Sequence, residues 1–349
     1  MGIKDLNSFL KQNAGECVQE VVLGQLKGKK VAIDTSIYFY KFLYKNPRFI
    51  EGFFQQIFRL RSNGITPIYV FDGKPPQEKS DTIEHRKNKK IEYKNKLAEC
   101  QSKLNNQDNL SKEEESELKE TVMKLKKKMI YVTKENIAQL KYFLDLLCVK
   151  YIQAEGEADN ICSQLCKTGV VDLVLSDDMD LLVSGTTVLL RNFVISSNRI
   201  TLYNVNSILN KLGFTREQWV DFCIMCGSDY THRIGGIGPK NAFKFLKLYG
   251  NIETVVENVC GEGKKYKVPE NFDYVRARNI FNGNMTQDNL EKYLELDISL
   301  DNIDFFDNQL KNVKDYARTY TNLSDKQVLN RMKKIYNIDD NLLRQHKLM

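Results

Sequence analysis

VDLVLSDDMDLL (171–182) is the stretch on which the fold turns. Its first half is a short apolar run, which reads as a strand covered on both faces. Its second half sets Asp177, Asp178 and Asp180 within four residues, then returns to leucine. Carboxylates this crowded repel one another, and desolvation adds to the cost. A chain that brings them to the rim of its own core has a use for concentrated negative charge.

The same pattern recurs on either side. KKVAIDTS (29–36), PIYVFDG (67–73), TVLLRNF (187–193) and RITLYN (199–204) are further apolar, β-branched runs that read as strands. Helical segments separate 29–36, 67–73 and 171–177, which predicts an α/β fold with a mostly parallel sheet flanked by helices. Asp34 closes one run, Asp72 closes another, and Asp178 with Asp180 follow a third. Aspartate is common in turns and at helix N-caps, which accounts for any one of these positions but poorly for the repetition. In an open parallel sheet, ligands bind beyond the carboxyl ends of the strands, so separate segments deliver their acids to one rim.

Two more segments add carboxylates. AEGEADNICSQLC (154–166) takes on a helical period near Glu157, with Glu157 and Asp159 in the first turn, where the helix dipole favours anions in any case. After the helix WVDFCIMC (219–226), Gly227 reads as a C-cap and CGSDY puts Asp229 just beyond it. The dipole disfavours an anion there by about 0.3–1 kcal/mol, so the position calls for a cation. If Asp34, Asp72, Glu157, Asp159, Asp178, Asp180 and Asp229 converge, counterions must hold them together. All-oxygen coordination suits Mg2+ or Mn2+, and the only histidines, His85, His232 and His346, give little basis for zinc. Two such ions about 4 Å apart assist phosphodiester cleavage. The pairs Cys162/Cys166 and Cys223/Cys226 lie in apolar helical periods and read as core.

Composition sets the outer bounds. A chain of 349 residues with 42% hydrophobic and 28% charged residues is globular, and a net charge of +7 is compatible with a nucleic-acid partner without requiring one. Eight unevenly spaced cysteines and an N-terminus without an apolar signal predict an intracellular, reducing compartment. No apolar run approaches the ~20 residues of a membrane helix, so no membrane partner is expected. GxxxxGK[ST], GxSxG and HExxH motifs are all missing, which disfavours P-loop, serine-esterase and zinc-protease chemistry.

Between 79 and 141 the composition turns polar, with 16 Lys and Arg against 11 Asp and Glu, and reads as a helical insertion within a single 1–349 domain. Ser111 and Glu114 form a capping box, and Leu118, Val122, Leu125 and Met129 follow at heptad-like spacing. A solvated charged hairpin is the plain alternative for such a run. Lys79 and Arg86 stand seven residues apart, two helical turns on nearly one face, and can both address a scissile phosphate. IGGIGPKNAFKFLKLYG (234–250) is a glycine-rich turn entering an amphipathic helix, where Gly235, Gly236 and Gly238 free backbone amides and Lys240 adds charge. With the preceding helix it reads as a helix-hairpin-helix element over 215–260 that contacts a nucleic-acid backbone.

The motifs MGIKDL, VAIDTSIYFY, YVFDGKPPQEK, GEADNICSQL, SDDMDLL, CGSDY and GIGPKNA span almost the whole chain and, in this order, resemble the flap endonuclease family of structure-specific 5′ nucleases. The resemblance implies a twisted PIN-like α/β nuclease core, a helical arch, a helix-hairpin-helix grip on duplex DNA and two Mg2+ ions. It makes the seven acids above the metal ligands and leaves out Asp177 and Glu155. It assigns Lys79 and Arg86 to phosphate steering, Tyr40 to base stacking, and Gly2 to a packed N-terminal DNA contact. Around GSDY and the glycine turn it implies a K+ ion held by backbone carbonyls. Asp159 stands where the family usually has glutamate. The segment YKNPRFIEGFF (44–54) is shorter than in cellular relatives, so a 3′-flap contact carries over only to Lys45 and Arg48. The ending LLRQHKLM has no sliding-clamp peptide, so clamp binding is not expected. The implied activity is 5′-flap endonuclease and 5′-3′ exonuclease on branched DNA, by a monomer, in replication and repair. A catalytically weak DNA-structure binder and an RNA-processing nuclease are the alternatives.

Overall fold

The computed structural model describes residues 3–74, 80–105, 111–283 and 303–338, with the side chains of 80–83, 85, 86 and 303–305 outside the description. One seven-stranded sheet organises the chain. Its strands are β1 (Val18–Val22), β2 (Lys30–Asp34), β3 (Thr66–Phe71), β4 (Tyr151–Gln153), β5 (Leu173–Leu175), β6 (Val188–Arg191) and β7 (Arg199–Asn204), in the order β1-β7-β6-β5-β2-β3-β4. The five strands from β6 to β4 run parallel, while β7 pairs antiparallel with both β6 and β1.

All five expected strands are present, and their continuous apolarity has a direct cause. Successive side chains of a strand point to opposite faces, so a strand covered on both sides must be apolar throughout. Ala32 and Val174 enter one core with Leu165 and Trp219, whereas Val31, Ile33, Leu173 and Leu175 enter the other with Phe53 and Phe143. The two strands without a sequence signal are β1, a polar edge strand that is never fully buried, and β4, only three residues long.

Helices cover both faces. α2 (Thr35–Lys45) and α3 (Phe49–Ser62) follow β2, and α7 (Ala158–Lys167) follows β4. α4 (Ser80–Asn105) and α5 (Lys112–Lys128) form the polar hairpin, packing along each other with Val122 and Leu125 buried. The Ser111 capping box is formed, the Glu114 carboxylate accepting the Ser111 N–H at 2.9 Å. α6 (Lys134–Leu146), which begins inside the expected 79–141 span, buries Leu140, Phe143 and Leu144 in the core. Near the C-terminal end, α13 (Ile303–Tyr320) and α14 (Asp325–Ile335) pack on α3. No helix among the described residues is long and apolar enough to cross a membrane.

Candidate metal and phosphate site

Because β3, β2 and β5 lie side by side and parallel, Asp34, Asp72 and Asp178 emerge at the same rim. Asp34 caps α2, accepting the Ser36 N–H at 3.2 Å on Oδ1 and the Ser176 hydroxyl at 2.9 Å on Oδ2. Ser176 Oγ in turn accepts the Asp178 N–H at 3.1 Å, and Asp178 Oδ1 accepts the Asp180 N–H at 3.1 Å. Asp72 accepts a short hydrogen bond from Ser36 Oγ on Oδ2 and the Ala158 N–H at 2.8 Å on Oδ1. Ala158 lies between Glu157 and Asp159, and Glu157 Oε2 accepts the Tyr230 hydroxyl at 3.0 Å. Two serines, one tyrosine and a few backbone amides therefore tie six of the seven acids, or the turn that bears them, into one network. Asp229 directly precedes Tyr230 and is half-buried.

The electrostatics agree with this gathering. Asp34 is only 4% exposed, and its carboxyl is pushed up to about 7 by burial first, then by Asp72 and also Asp178, against the Ser176 hydrogen bond. Burial and then the charges of Asp34, Asp159 and Asp72 raise the Cys162 thiol, while burial, Glu157, Asp180 and Asp159 raise the Tyr230 phenol. Asp177 points elsewhere: it pairs with Lys41 at 3.0 Å and accepts the Asn192 N–H at 2.8 Å.

A hard cation fits this donor set. The gathered groups are carboxylates, and the neighbouring thiol is kept protonated by burial. A cation would also relieve the repulsion that raises Asp34. Among the described residues no group of three or more His, Cys, Asp or Glu side chains is placed closely enough to hold a metal ion by itself. Mg2+ retains several waters and is commonly held through only one or two carboxylates, so this spacing is compatible with it.

Close backbone approach brings the two acid-bearing loops together. The Gly73 N–H donates to the Gly156 carbonyl at 2.6 Å and the Lys74 N–H to the Glu155 carbonyl at 3.0 Å. A Cβ at Gly73 would meet the carbonyl oxygens of Ala154 and Glu155, each at 2.3 Å. Gly73, Ser36, Ser176 and Tyr230 were not singled out from the sequence. The two serines had a weak signal, each standing two residues from a strand-end aspartate, whereas Gly73 and Tyr230 depend on partners distant in the chain.

The surrounding candidates fall into separate groups. Tyr40 is 48% exposed on α2, the helix that Asp34 caps. α9 (Arg216–Cys226) and α10 (Pro239–Tyr249) pack together, joined by a turn in which Gly227 and Gly236 take left-handed φ values of 100° and 80°. Gly227 lends its carbonyl to the Lys4 N–H, Gly238 caps α10, and Gly235, Gly236 and Lys240 are exposed. Arg48 engages the chain itself, donating to the Thr321 carbonyl at 3.0 Å and to the Asn322 side chain. Arg86 lies on α4, with its side chain outside the described residues; Lys79 and Gly2 lie outside them altogether. Cys162, Cys166, Cys223 and Cys226 are buried free thiols.

Comparison with known proteins matches the XPG N-terminal domain over residues 1–93 and the XPG I-region over residues 148–229. Flap endonuclease 1 of Naegleria gruberi is 38% identical over 298 residues, covering 80% of this chain and 73% of that protein. The catalytic core of Rad2 in complex with DNA substrate superposes with a TM-score of 0.64 at 23% identity, covering 96% of this chain and 100% of that one. The Holliday junction-resolving enzyme GEN1, in complex with product DNA and Mg2+, gives 0.61 at 19% identity, covering 94% of this chain and 76% of that one. With acids from parallel strand ends gathered at one rim and a relative this similar over most of its length, the chain belongs to the flap endonuclease family.

Proposed function

We propose that the chain is a Mg2+-dependent, structure-specific nuclease that removes 5′ flaps from branched DNA, acting as flap endonuclease and 5′-3′ exonuclease in replication and repair. The hydrogen-bonded acid network at the strand ends carries this reading. Asp34, Asp72, Glu157, Asp159, Asp178, Asp180 and Asp229 would hold two Mg2+ ions, with Mn2+ able to substitute. When bound, the metal supplies positive charge and Lewis acidity for phosphodiester hydrolysis. The GEN1 complex with Mg2+ supports the choice of ion.

The chain's own residues bind and orient the substrate. Lys79, together with Arg86 of α4, would neutralise the scissile phosphate and the charge that develops on it. Tyr40 offers an exposed ring for a base beside the cut, a contact indifferent to sequence. The exposed turn at Gly236 and Gly238, with Lys240, holds the duplex backbone, and a K+ ion at the carbonyls around Gly227 and Asp229 would strengthen that grip. On the same reading Gly2 would contribute a DNA contact. The internal bonds of Arg48 suggest that it shapes the 44–54 segment as well as meeting DNA. The acting species is a monomer at intracellular sites of DNA replication.

A 5′-flap substrate incubated with and without Mg2+ tests the reading. Incision at the single-strand/double-strand junction that needs Mg2+ or Mn2+ is expected. Tight flap binding with no metal-dependent incision would instead make the chain a DNA-structure binder.

A further inference from the structure

The backbone at Asp72 is also held from outside the acid network. Gln153, the last residue of β4, donates its side-chain amide to the Asp72 carbonyl at 2.8 Å and to the Ala154 carbonyl at 3.1 Å. Its Oε1 accepts from Lys141 Nζ at 2.7 Å. The same ammonium lies over the Phe71 ring at 5.0 Å and the Tyr151 ring at 5.5 Å. Lys141 thus has a neutral amide and two ring faces as neighbours, an arrangement that fixes position more than it balances charge. Lys141 stands on α6, and α6 follows α5, the return limb of the polar hairpin, after a five-residue connection. Two side chains in series, Lys141 and Gln153, therefore join the helix that follows the hairpin to the backbone of a candidate metal ligand.

We propose that Lys141 and Gln153 form a positioning strut that holds Asp72 against the Ala158 amide and couples the α4–α5 hairpin to the acid rim. The inference rests on the reading of Asp72 as a metal ligand. Displacement of the hairpin by a bound flap would be carried along α6 to Lys141, through Gln153, and into the loop where Gly73 and Gly156 meet. Neither residue touches the reacting atoms. The Asp72 carboxylate keeps its own donors, Ser36 and Ala158, and the strut sets the backbone from which it projects.

Lys141→Met keeps the length of the stem and removes the ammonium, Lys141→Arg keeps a cation, and Gln153→Leu removes the bridging amide. Amide hydrogen exchange of the metal-free protein reads the strut without any turnover. The Gly73 and Ala158 N–H groups are expected to exchange about tenfold faster in Lys141→Met and Gln153→Leu, with β2 amides unchanged and Lys141→Arg close to the parent. Under single turnover on a 5′ flap, both variants should cut about tenfold more slowly, with a raised Mg2+ half-saturation and an unchanged DNA KM. The double variant should lose no more than either single one, because the two residues act as one strut. Unchanged exchange at Gly73 and Ala158 would overturn the strut, and faster exchange with parental cleavage would overturn its coupling to the acid rim. A parent protein that does not cut would defeat the nuclease reading and leave the exchange comparison to decide the strut.

Discussion

At the acid rim, carboxylates that repel one another are held by groups far away in the chain: Ser176 for Asp34, Ala158 for Asp72, Tyr230 for Glu157. In the α4–α5 hairpin, which carries a basic excess, many of the described contacts are local, as in the i,i+4 pairs Glu115–Lys119 and Glu120–Lys124. Among the described residues its longer-range ties include, in addition to the buried Val122 and Leu125, cation–π contacts near its base, Lys128 over Tyr93, Lys90 over Tyr131 and Lys127 over Tyr44. Exposed contacts of this kind contribute about 0.5–1 kcal/mol each, and exposed i,i+4 pairs about 0.3–0.5. The rim therefore holds charge in a fixed arrangement that favours an added cation, while the hairpin can readjust at little cost. A nuclease needs both properties, one to place the reacting phosphate and one to admit a strand.

Substitutions in the two regions should differ accordingly. The largest effect is expected at the rim. Asp178→Asn should slow single-turnover cleavage by about 10³-fold while leaving flap binding near the parent value, read by rapid quench and by fluorescence anisotropy. Parental cleavage would remove Asp178 from the site. Next comes Gly73→Ala, whose added methyl group must displace two carbonyls; urea denaturation should show a loss of about 1–3 kcal/mol, and a neutral result would mean that the loops separate freely.

The pH dependence gives a third comparison. Asp34 has its pKa raised from 3.8 to about 7, so the native state keeps a proton that the unfolded chain releases. Stability of the metal-free protein from this group is therefore greatest at low pH and declines as pH rises from about 4 to about 7. Denaturation across that range in chelator should show this slope in the parent and a flatter one in Asp34→Asn; parallel curves would deny the raised pKa. The smallest effects belong to the hairpin. Ser111→Ala should cost about 0.5–2 kcal/mol of local helix stability, seen as faster amide exchange in the first turn of α5. Glu120→Gln should change global stability by less than about 0.5 kcal/mol. A large loss from either would mean that the hairpin is as tightly integrated as the rim.

Much of the rim is legible in the sequence because strands buried on both faces are continuously apolar, and because acids follow them at Asp34, Asp72 and Asp178. The Ser111 capping box and the Gly227 C-cap are equally local signals. β4 is too short to show a period, and β1 is a polar edge strand, so both depend on pairing with neighbours.

The sequence by itself determined the α/β class, the positions of five strands along the chain, the polar hairpin and the set of acids, since each rests on residue type and spacing within a short window. Only the tertiary structure decided which carboxylates share donors, that Asp177 turns to Lys41, that Arg48 bonds to the C-terminal segment, and that Gln153 and Lys141 reach the backbone of Asp72. The contacts of Asp177, Arg48, Gln153 and Lys141 join residues from 12 to 274 positions apart, and whether a side chain meets such a partner depends on sheet register and helix docking, which no local pattern encodes.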